Sequence, residues 1–265
     1  KTVSGKRGKL LMLKILSTPA EWRHINRTNE MKNKTIGFVP TMGALHKGHL
    51  SLVERCLKEN DITIVSIFVN PTQFNDSTDF SSYPKTLKED KGLLKKAGIN
   101  WLFLPAYETL YADDYSYKII ETKLSKKLCG VHRPGHFDGV LTVVMKLLNI
   151  IKATRAYFGE KDYQQYLLIK KMTKAFFIDT EIIPCNTVRE SNGLACSSRN
   201  NILSPKDKAH ASELYHILSK NISKKEMQTQ LEKSGFTVDY IKNLNNRRLG
   251  AVVLNNVRLI DNVTL

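Results

Sequence analysis

The sequence predicts an α/β protein, with a Rossmann-like parallel sheet in a first domain and a smaller C-terminal α+β domain. A short apolar and β-branched run at 35–39 precedes residues with helical spacing, and a continuous apolar run follows at 62–69. This strand–helix–strand order is typical of a βαβ unit with parallel strands. Ligands of such sheets bind beyond the carboxyl ends of the strands.

The remaining elements of the first domain follow in order along the chain. Pro40 lacks a backbone donor, so we expect the first strand to end there, and Pro71 is expected to stop the second strand in the same way. Further patterns predict a helix to about 97, a strand at 99–104, an apolar helix at 141–151 and a strand–turn–helix junction around 159.

The smaller domain is expected to begin near residue 184. A helix at 205–218 and short alternating segments at 236–240 and 251–254 predict its α+β character. We therefore divide the chain into a first domain at 12–183 and a second at 184–265. Residues 1–11 are basic, polar and without periodicity, which indicates an added leader or a disordered segment before a natural start at Met12.

Composition excludes several classes of function. The net charge of +16 attracts anions, but the lysines are dispersed along expected helices, which favours solvated faces over a nucleic-acid-binding surface. Four scattered cysteines form no C-x-x-C pair and fit a reducing cytoplasm. The longest apolar stretch, at 140–151, is interrupted by Lys146 and Asn149, so we expect no membrane span.

The turn at 40–49, Pro-Thr-Met-Gly-Ala-Leu-His-Lys-Gly-His, holds the most informative residues of the chain. His46 and His49 fall at the expected start of a helix, where backbone N–H groups attract anions and imidazoles can donate to the same anion. Two alternatives stay open. The pair could cap the helix, or it could bind a metal, although three or more protein ligands are usual for a metal.

Polar residues follow the second strand and open the next helix. Asn70 and Gln73 would lie beside the first turn if the two strands are neighbours, and their amides suit a hydroxy acid; alone, Asn-Pro indicates only a turn. Glu89 and Asp90 could contact magnesium or could stabilise the helix dipole. Arg133 and His136 could reach an anion or contribute to a dimer surface.

Two later segments also suit an anion. Lys161 lies in the first turn of an expected helix after Gly159, where a positive charge opposes the helix dipole and a bound phosphate would offset that cost. Asp162 could accept ribose hydroxyls. Further on, Ser197, Ser198 and Arg199 form a segment with hydroxyl and guanidinium donors for phosphate.

Together these segments resemble the pantoate–β-alanine ligase (pantothenate synthetase) family over residues 12–265, including the terminal Arg-Leu-Ile-Asp-Asn at 258–262. The resemblance implies a nucleotidyltransferase-type Rossmann domain with a C-terminal lid domain. It also implies condensation of D-pantoate with β-alanine through a pantoyl adenylate, with ATP cleaved to AMP and pyrophosphate and Mg²⁺ required. A cytoplasmic homodimer is expected on the same ground, with neither nucleic-acid nor membrane partners.

The resemblance also implies roles for individual residues. ATP binding is expected at Met42, Gly43, Ala44, Leu45, His46, Lys47, Gly48, His49, Gly159, Glu160, Lys161, Asp162, Val188, Cys196, Ser197, Ser198 and Arg199. Pantoate is expected at Gln73 and Gln165, with β-alanine beside Gln73. Asn70 joins these substrate-binding residues because of its amide and its position after the second strand, not because of the resemblance. The catalytic group comprises His46, His49, Lys161, Ser197, Ser198 and Arg199, with His49 as a proton donor. Asp90 is our candidate magnesium ligand from its own position in the sequence, and the resemblance does not assign it that role. Cys196 departs from the family's usual Met but keeps a soft, apolar residue there.

Two other functions remain to be separated from this one. The first turn alone would also fit another nucleotidyltransferase with a different acceptor. The positive charge alone would fit a non-enzymatic nucleic-acid-binding protein, whose binding would depend steeply on salt.

Overall fold

The computed structural model describes residues 13–75 and 80–265. The expectation of a leader at 1–11 and a natural start at Met12 lies outside these residues. Ten α-helices, five short 3₁₀-helices and nine strands, the strands in two separate sheets, organise the described part of the chain.

The larger sheet has six strands, all parallel; the sequence predicted a parallel sheet but not the sixth strand, at Glu181–Cys185. They are β1 (Lys14–Leu16), β2 (Ile36–Thr41), β3 (Ile62–Ile67), β4 (Trp101–Phe103), β5 (Arg155–Gly159) and β6 (Glu181–Cys185). Their spatial order is β1-β4-β3-β2-β5-β6. Because β2 lies between β3 and β5, the segments that follow these three strands meet at one edge of the sheet.

Helices cover both faces of this sheet, which is why its strands are apolar on both sides. The helices are α1 (Pro19–Asn26), α2 (Lys47–Glu59), α3 (Leu87–Ala97), α4 (Tyr107–Leu110), α5 (Cys129–His132), α6 (His136–Ile151) and α7 (Tyr163–Ala175). Phe38 of β2 faces the core that contains Leu141 of α6, whereas the next residue, Val39, faces the core that contains Val53 of α2. Alternate residues of one strand therefore fill two cores.

The C-terminal unit is a three-stranded antiparallel sheet covered by helices. Helices α8 (Pro205–Ala211), α9 (Glu213–Leu218) and α10 (Lys224–Lys233) precede strands β7 (Thr237–Leu244), β8 (Arg247–Leu254) and β9 (Val257–Thr264). Two-residue turns join the strands. Asn245, Asn255 and Asn256 have positive φ there, a conformation that asparagine tolerates in tight hairpins. Leu218 and Met227 pack with Val252 in a separate apolar core.

Some expected boundaries were wrong. β2 continues through Pro40 to Thr41. The carbonyl of Thr41 accepts a hydrogen bond from the β3 side. Because successive residues of a strand direct their backbone groups to opposite sides, Pro40 faces β5. Pairing with β5 already stops at Phe38, so the proline removes no hydrogen-bond donor that the sheet uses. The helix expected at 141–151 begins earlier, at His136.

In the C-terminal unit, the helix expected at 205–218 is two helices that meet at Ser212. β9 was not predicted as a strand. The domain boundary expected between 183 and 184 falls inside β6, since Cys185 still pairs with Gly159 in the six-stranded sheet. Within residues 13–75 and 80–265, no helix has the length and apolarity needed to cross a bilayer.

Candidate active site

The turn between β2 and α2 is held in place by a buried carboxylate. Gly43 and Ala44 both have positive φ, so the backbone turns sharply before the helix. The amides of Ala44 and Leu45 donate to the two carboxylate oxygens of Asp90, at 3.0 and 2.8 Å, and Thr86 Oγ1 donates to one of them at 3.2 Å. These contacts explain a carboxylate that is only 2% exposed. They give Asp90 a role in shaping the turn, while the magnesium role suggested by the sequence stays a prediction.

Replacing Asp90 with Asn is expected to weaken the turn. An amide can accept from only one of the two backbone N–H groups and presents N–H to the other, so we expect the free energy of unfolding to fall by about 1–3 kcal/mol. Urea unfolding measures this change, with Glu89→Gln at the exposed neighbouring position as the control. Unchanged stability together with a raised Mg²⁺ requirement would instead support a metal ligand.

The two histidines cap α2 and leave matching donors free. His46 Nδ1 accepts from the Gly48 amide at 3.1 Å, and His49 Nδ1 accepts from the His46 amide at 3.4 Å. The ring centroids are 4.0 Å apart. Because each Nδ1 accepts, the proton of each neutral ring must be on Nε2. The two histidines therefore do cap the helix, which was one of the two alternatives. The same hydrogen bonds orient the two Nε2–H donors.

Both imidazoles are neutral near pH 7. Burial and, as the next largest cause, the positive charge of Lys161 together lower the pKa of His46 to about 4. Burial also lowers the pKa of His49 to about 3, and the neighbouring His46 ring, when protonated, and the Lys161 charge act in the same direction. The pair can thus donate hydrogen bonds to an anion without carrying charge, and His49 is poorly suited to act as a cationic proton donor.

A third histidine braces the segment after β3. His136 Nδ1–H donates to the carbonyl of Gln73 at 2.7 Å, and its Nε2 lies 3.1 Å from Arg133 Nη1, which donates to it. The Gln73 side chain contacts Asn70 at 3.2 Å and Met42 Sδ at 2.8 Å. The predicted neighbours Asn70 and Gln73 therefore do lie beside the first turn, and Arg133 and His136 stand behind Gln73.

His136 should make the fold sensitive to acid. Burial, followed by the charge of Arg133, lowers its pKa from 6.5 to about 3. The unfolded chain therefore binds a proton first, and stability that is present above pH 6.5 is lost as pH falls toward 3. The expected slope is about 1.4 kcal/mol per pH unit for this group.

Denaturant unfolding of the wild type and of His136→Gln measures that slope. Stability at pH 8, where the histidine is neutral in both states, gives the cost of the substitution itself. Below pH 6.5 the wild type should lose stability more steeply than the variant. Parallel curves would contradict the assignment.

A cavity of about 240 Å³ brings most of the predicted residues together. Its lining includes Met42, His46, Gly48, His49, Asn70, Gln73, Gly159, Lys161, Asp162, Gln165, Val188, Cys196, Ser197, Ser198 and Arg199. The predicted residues Gly43, Ala44, Leu45, Lys47 and Glu160 do not line it. A second cavity of about 550 Å³ shares Lys161, Gln165 and Arg199 with it and extends against β7 and β9.

The groups after β5 and near 197 complete the basic side of the cavity. Lys161 Nζ lies 3.8 Å from Asp162 Oδ1, and its side chain is 18% exposed. Ser197 Oγ accepts from the Arg199 amide at 3.3 Å, and Ser198 Oγ lies 3.3 Å from the hydroxyl of Tyr83. Sequence reasoning missed Tyr83, because no local pattern marks a tyrosine that contacts a segment more than a hundred residues away.

Cys196 and Lys47 share a partner at the rim. The Cys196 thiol donates to Glu190 Oε1 at 3.3 Å, and Lys47 Nζ lies 3.5 Å from Glu190 Oε2. Burial, with the adjacent Glu190 carboxylate, raises the pKa of Cys196 to about 11. The thiol therefore stays protonated and behaves as a small apolar wall of the cavity.

The segments that follow the parallel strands bring neutral imidazoles, a lysine and a serine–arginine segment to one cavity. This arrangement defines an α/β enzyme of the nucleotidyltransferase fold. A family model described as pantoate-beta-alanine ligase matches residues 14–264. A pantothenate synthetase from Bdellovibrio bacteriovorus is 46% identical over 254 residues, 96% of this chain and 100% of that protein. One from Legionella pneumophila is 49% identical over 245 residues, 92% of this chain and 97% of that protein.

Solved structures agree with these sequence comparisons. The pantoate-beta-alanine ligase from Francisella tularensis, complexed with beta-gamma ATP and beta-alanine, has a TM-score of 0.90 and 43% identity, covering 96% of this chain and 98% of that one. The pantothenate synthetase from Thermus thermophilus has a TM-score of 0.85 and 37% identity, covering 95% and 99%. The chain belongs to the pantoate-beta-alanine ligase family, and it is a ligase.

Proposed function

We propose that this chain condenses D-pantoate with β-alanine at the expense of ATP, through a pantoyl adenylate, and releases AMP and pyrophosphate. One observation carries the proposal. The Nε2–H groups of two neutral histidines at the start of α2 share a cavity with Lys161 and the segment 197–199. This set of donors suits a polyphosphate whose negative charge increases during reaction.

Within this cavity, the phosphates of ATP would lie against the start of α2 and Lys161. Val188 and Gly159 would flank the nucleoside, and Asp162 would accept from ribose hydroxyls. Ser197, Ser198 and Arg199 would contact the phosphates from the opposite side. The neutral His46 and His49 rings would donate from Nε2 without changing their protonation state near pH 7.

The acid substrate would be oriented by amides. Asn70, Gln73 and Gln165 line the same cavity and both donate and accept, which matches a hydroxy acid. Its carboxylate is already ionised at pH 7 and needs no base to attack the α-phosphorus. The work of the protein is then to align the carboxylate with the leaving pyrophosphate and to stabilise phosphoryl charge.

In the second step, the neutral amine of β-alanine would attack the acyl carbon, and AMP would leave. The adenylate must be protected from water until then, and the C-terminal unit that walls the adjoining cavity would provide that protection. No covalent bond between the protein and the acyl group is needed.

We propose Mg²⁺ only as an ion that binds together with ATP. Within the described ranges, no three His, Cys, Asp or Glu side chains form a cluster that could hold a metal ion, and the Asp90 oxygens accept backbone N–H groups. A protein-held magnesium site is therefore not supported by these residues. Mg²⁺ commonly binds through substrate phosphates and water, and we assign it no further step.

Pantoate-dependent exchange of labelled pyrophosphate into ATP tests the first step, and detection of pantothenate and AMP after adding β-alanine tests the whole reaction. Exchange that requires a different acid would favour another acceptor. Tight, steeply salt-dependent binding of RNA or DNA without exchange would favour a nucleic-acid-binding protein.

A homodimer in the cytoplasm remains part of this proposal. The four cysteines are all free and buried, which fits a reducing compartment. The dimer follows from the family resemblance, and sedimentation measures it directly.

A further inference from the structure

The terminal Asp261-Asn262 pair makes contacts that the proposed function does not use. The Asn262 side chain is buried, and its Nδ2 donates to the carbonyl of Glu160 at 2.8 Å and to the carbonyl of Lys161 at 3.0 Å. Both hydrogens of this amide are therefore directed at the short turn that carries Lys161. Strand β9 of the C-terminal sheet thus holds the backbone of Lys161, which lines the cavity.

The Asn262 side chain is itself fixed on its other side. Its Oδ1 accepts from Arg247 Nη1 at 2.7 Å, and Arg247 Nη2 pairs with the Glu160 carboxylate at 2.8 Å. The Arg247 and Glu160 side chains are only 16% and 15% exposed. This closed set of contacts defines the amide orientation, because Nδ2 must face the carbonyls and Oδ1 must face the guanidinium.

Asp261 acts, through Arg189, on the segment 197–199. Its side chain, 4% exposed, accepts two hydrogen bonds from Arg189, at 2.6 and 2.9 Å. Arg189 also donates to the carbonyls of Gly193 and Asn262, and its guanidinium lies 3.8 Å from the Tyr215 ring centroid. Arg189 bridges to Ala195, immediately before the segment 196–199.

We propose that Asp261 and Asn262 are positioning residues that set the distance between Lys161 and the segment 197–199. Adjacent residues of one strand hold both segments, so neither segment can shift without the other. Displacing a group by about 1 Å can cost about 100-fold in rate, so this brace acts on catalysis without contacting substrate. The inference deepens the proposed function and rests on it.

The variant Asn262→Asp tests the brace, because it keeps the shape and the Oδ1 acceptor but replaces the donor with an oxygen that repels two carbonyls. We expect kcat for pyrophosphate exchange to fall about 10–100-fold. ATP should still bind with one site per chain, and the KM for pantoate should stay within about 3-fold. Asn243→Asp, on the exposed part of β7, makes the same charge change and should leave exchange unaffected.

Hydrogen exchange gives a second readout that needs no activity. In Asn262→Asp, peptides covering 159–163 and 188–199 should exchange at least about 10-fold faster, whereas peptides of α10 should be unchanged. Asn262→Gln, which retains a donor on a longer arm, should recover part of both effects. If Asn262→Asp does not fold, Asp261→Asn replaces it. In that variant, hydrogen exchange should speed up more in peptides covering 188–199 than in peptides covering 159–163.

The outcomes separate the two proposals. Wild-type protein without pantoate-dependent exchange would overturn the proposed function, and hydrogen exchange would still judge the brace. Normal exchange kinetics in Asn262→Asp would overturn the brace alone. So would a loss confined to ATP-binding stoichiometry, or an effect that Asn243→Asp reproduces.

Discussion

His49→Asn is expected to lower kcat for pyrophosphate exchange about 10²–10³-fold, and His49→Gln is expected to lower it less. His49 Nδ1 caps the helix, so its Nε2–H is the group left for a phosphate. An asparagine amide can replace Nδ1 as an acceptor but does not reach the Nε2 position. A glutamine amide reaches it and can donate from it.

The two variants therefore separate catalysis from capping. Exchange kinetics report the donor, and thermal unfolding reports the cap. We expect Asn to retain stability better and Gln to retain activity better. The reverse order of activities would show that His49 serves only to start α2.

Lys161→Met is expected to reduce kcat for exchange by a similar factor of about 10²–10³. The lysine side chain is mostly buried at the wall shared by both cavities, where a positive charge opposite developing phosphoryl charge has its largest effect. The same charge lowers the pKa of both His46 and His49. Removing it should raise both pKa values toward 6.5 while burial keeps them below it.

Nuclear magnetic resonance titration of the two histidines measures this second effect in the absence of substrate. Lys170→Met, on the exposed side of α7, is the matched control and should change neither rate nor titration. A loss of rate without any change in the histidine pKa values would place Lys161 away from the imidazoles.

The sequence was sufficient wherever the relevant physics is local or follows from parallel strand order. The turn at 40–49, which we predict to bind an anion, could be singled out from its own residues. Its convergence with Asn70 and Gln73 followed from β2 and β3 being neighbours. Local rules failed at Pro40. The missing N–H of a proline disrupts a sheet only if its backbone faces a strand that would pair with it, and β5 does not pair with β2 at this position.

Contacts between distant segments could not be predicted from local patterns. Asp90 looked like a metal ligand or a helix-dipole residue, because its partners at Ala44 and Leu45 lie more than forty residues earlier. The tautomers of His46, His49 and His136 depend on which backbone groups surround each ring, and those groups are fixed only by the folded chain. The terminal Asp-Asn was part of the resemblance, but nothing nearby indicated what it contacts.

The position of Asn262 in the chain has a consequence for biosynthesis. A ribosome completes Lys161 101 residues before it adds the asparagine whose amide holds the Lys161 carbonyl. A nascent polypeptide can therefore form the parallel sheet, with its imidazole pair in place, while its lysine turn still lacks that restraint. On the positioning role proposed for Asn262, full activity would be expected only after the strand that carries this residue has been translated and has docked.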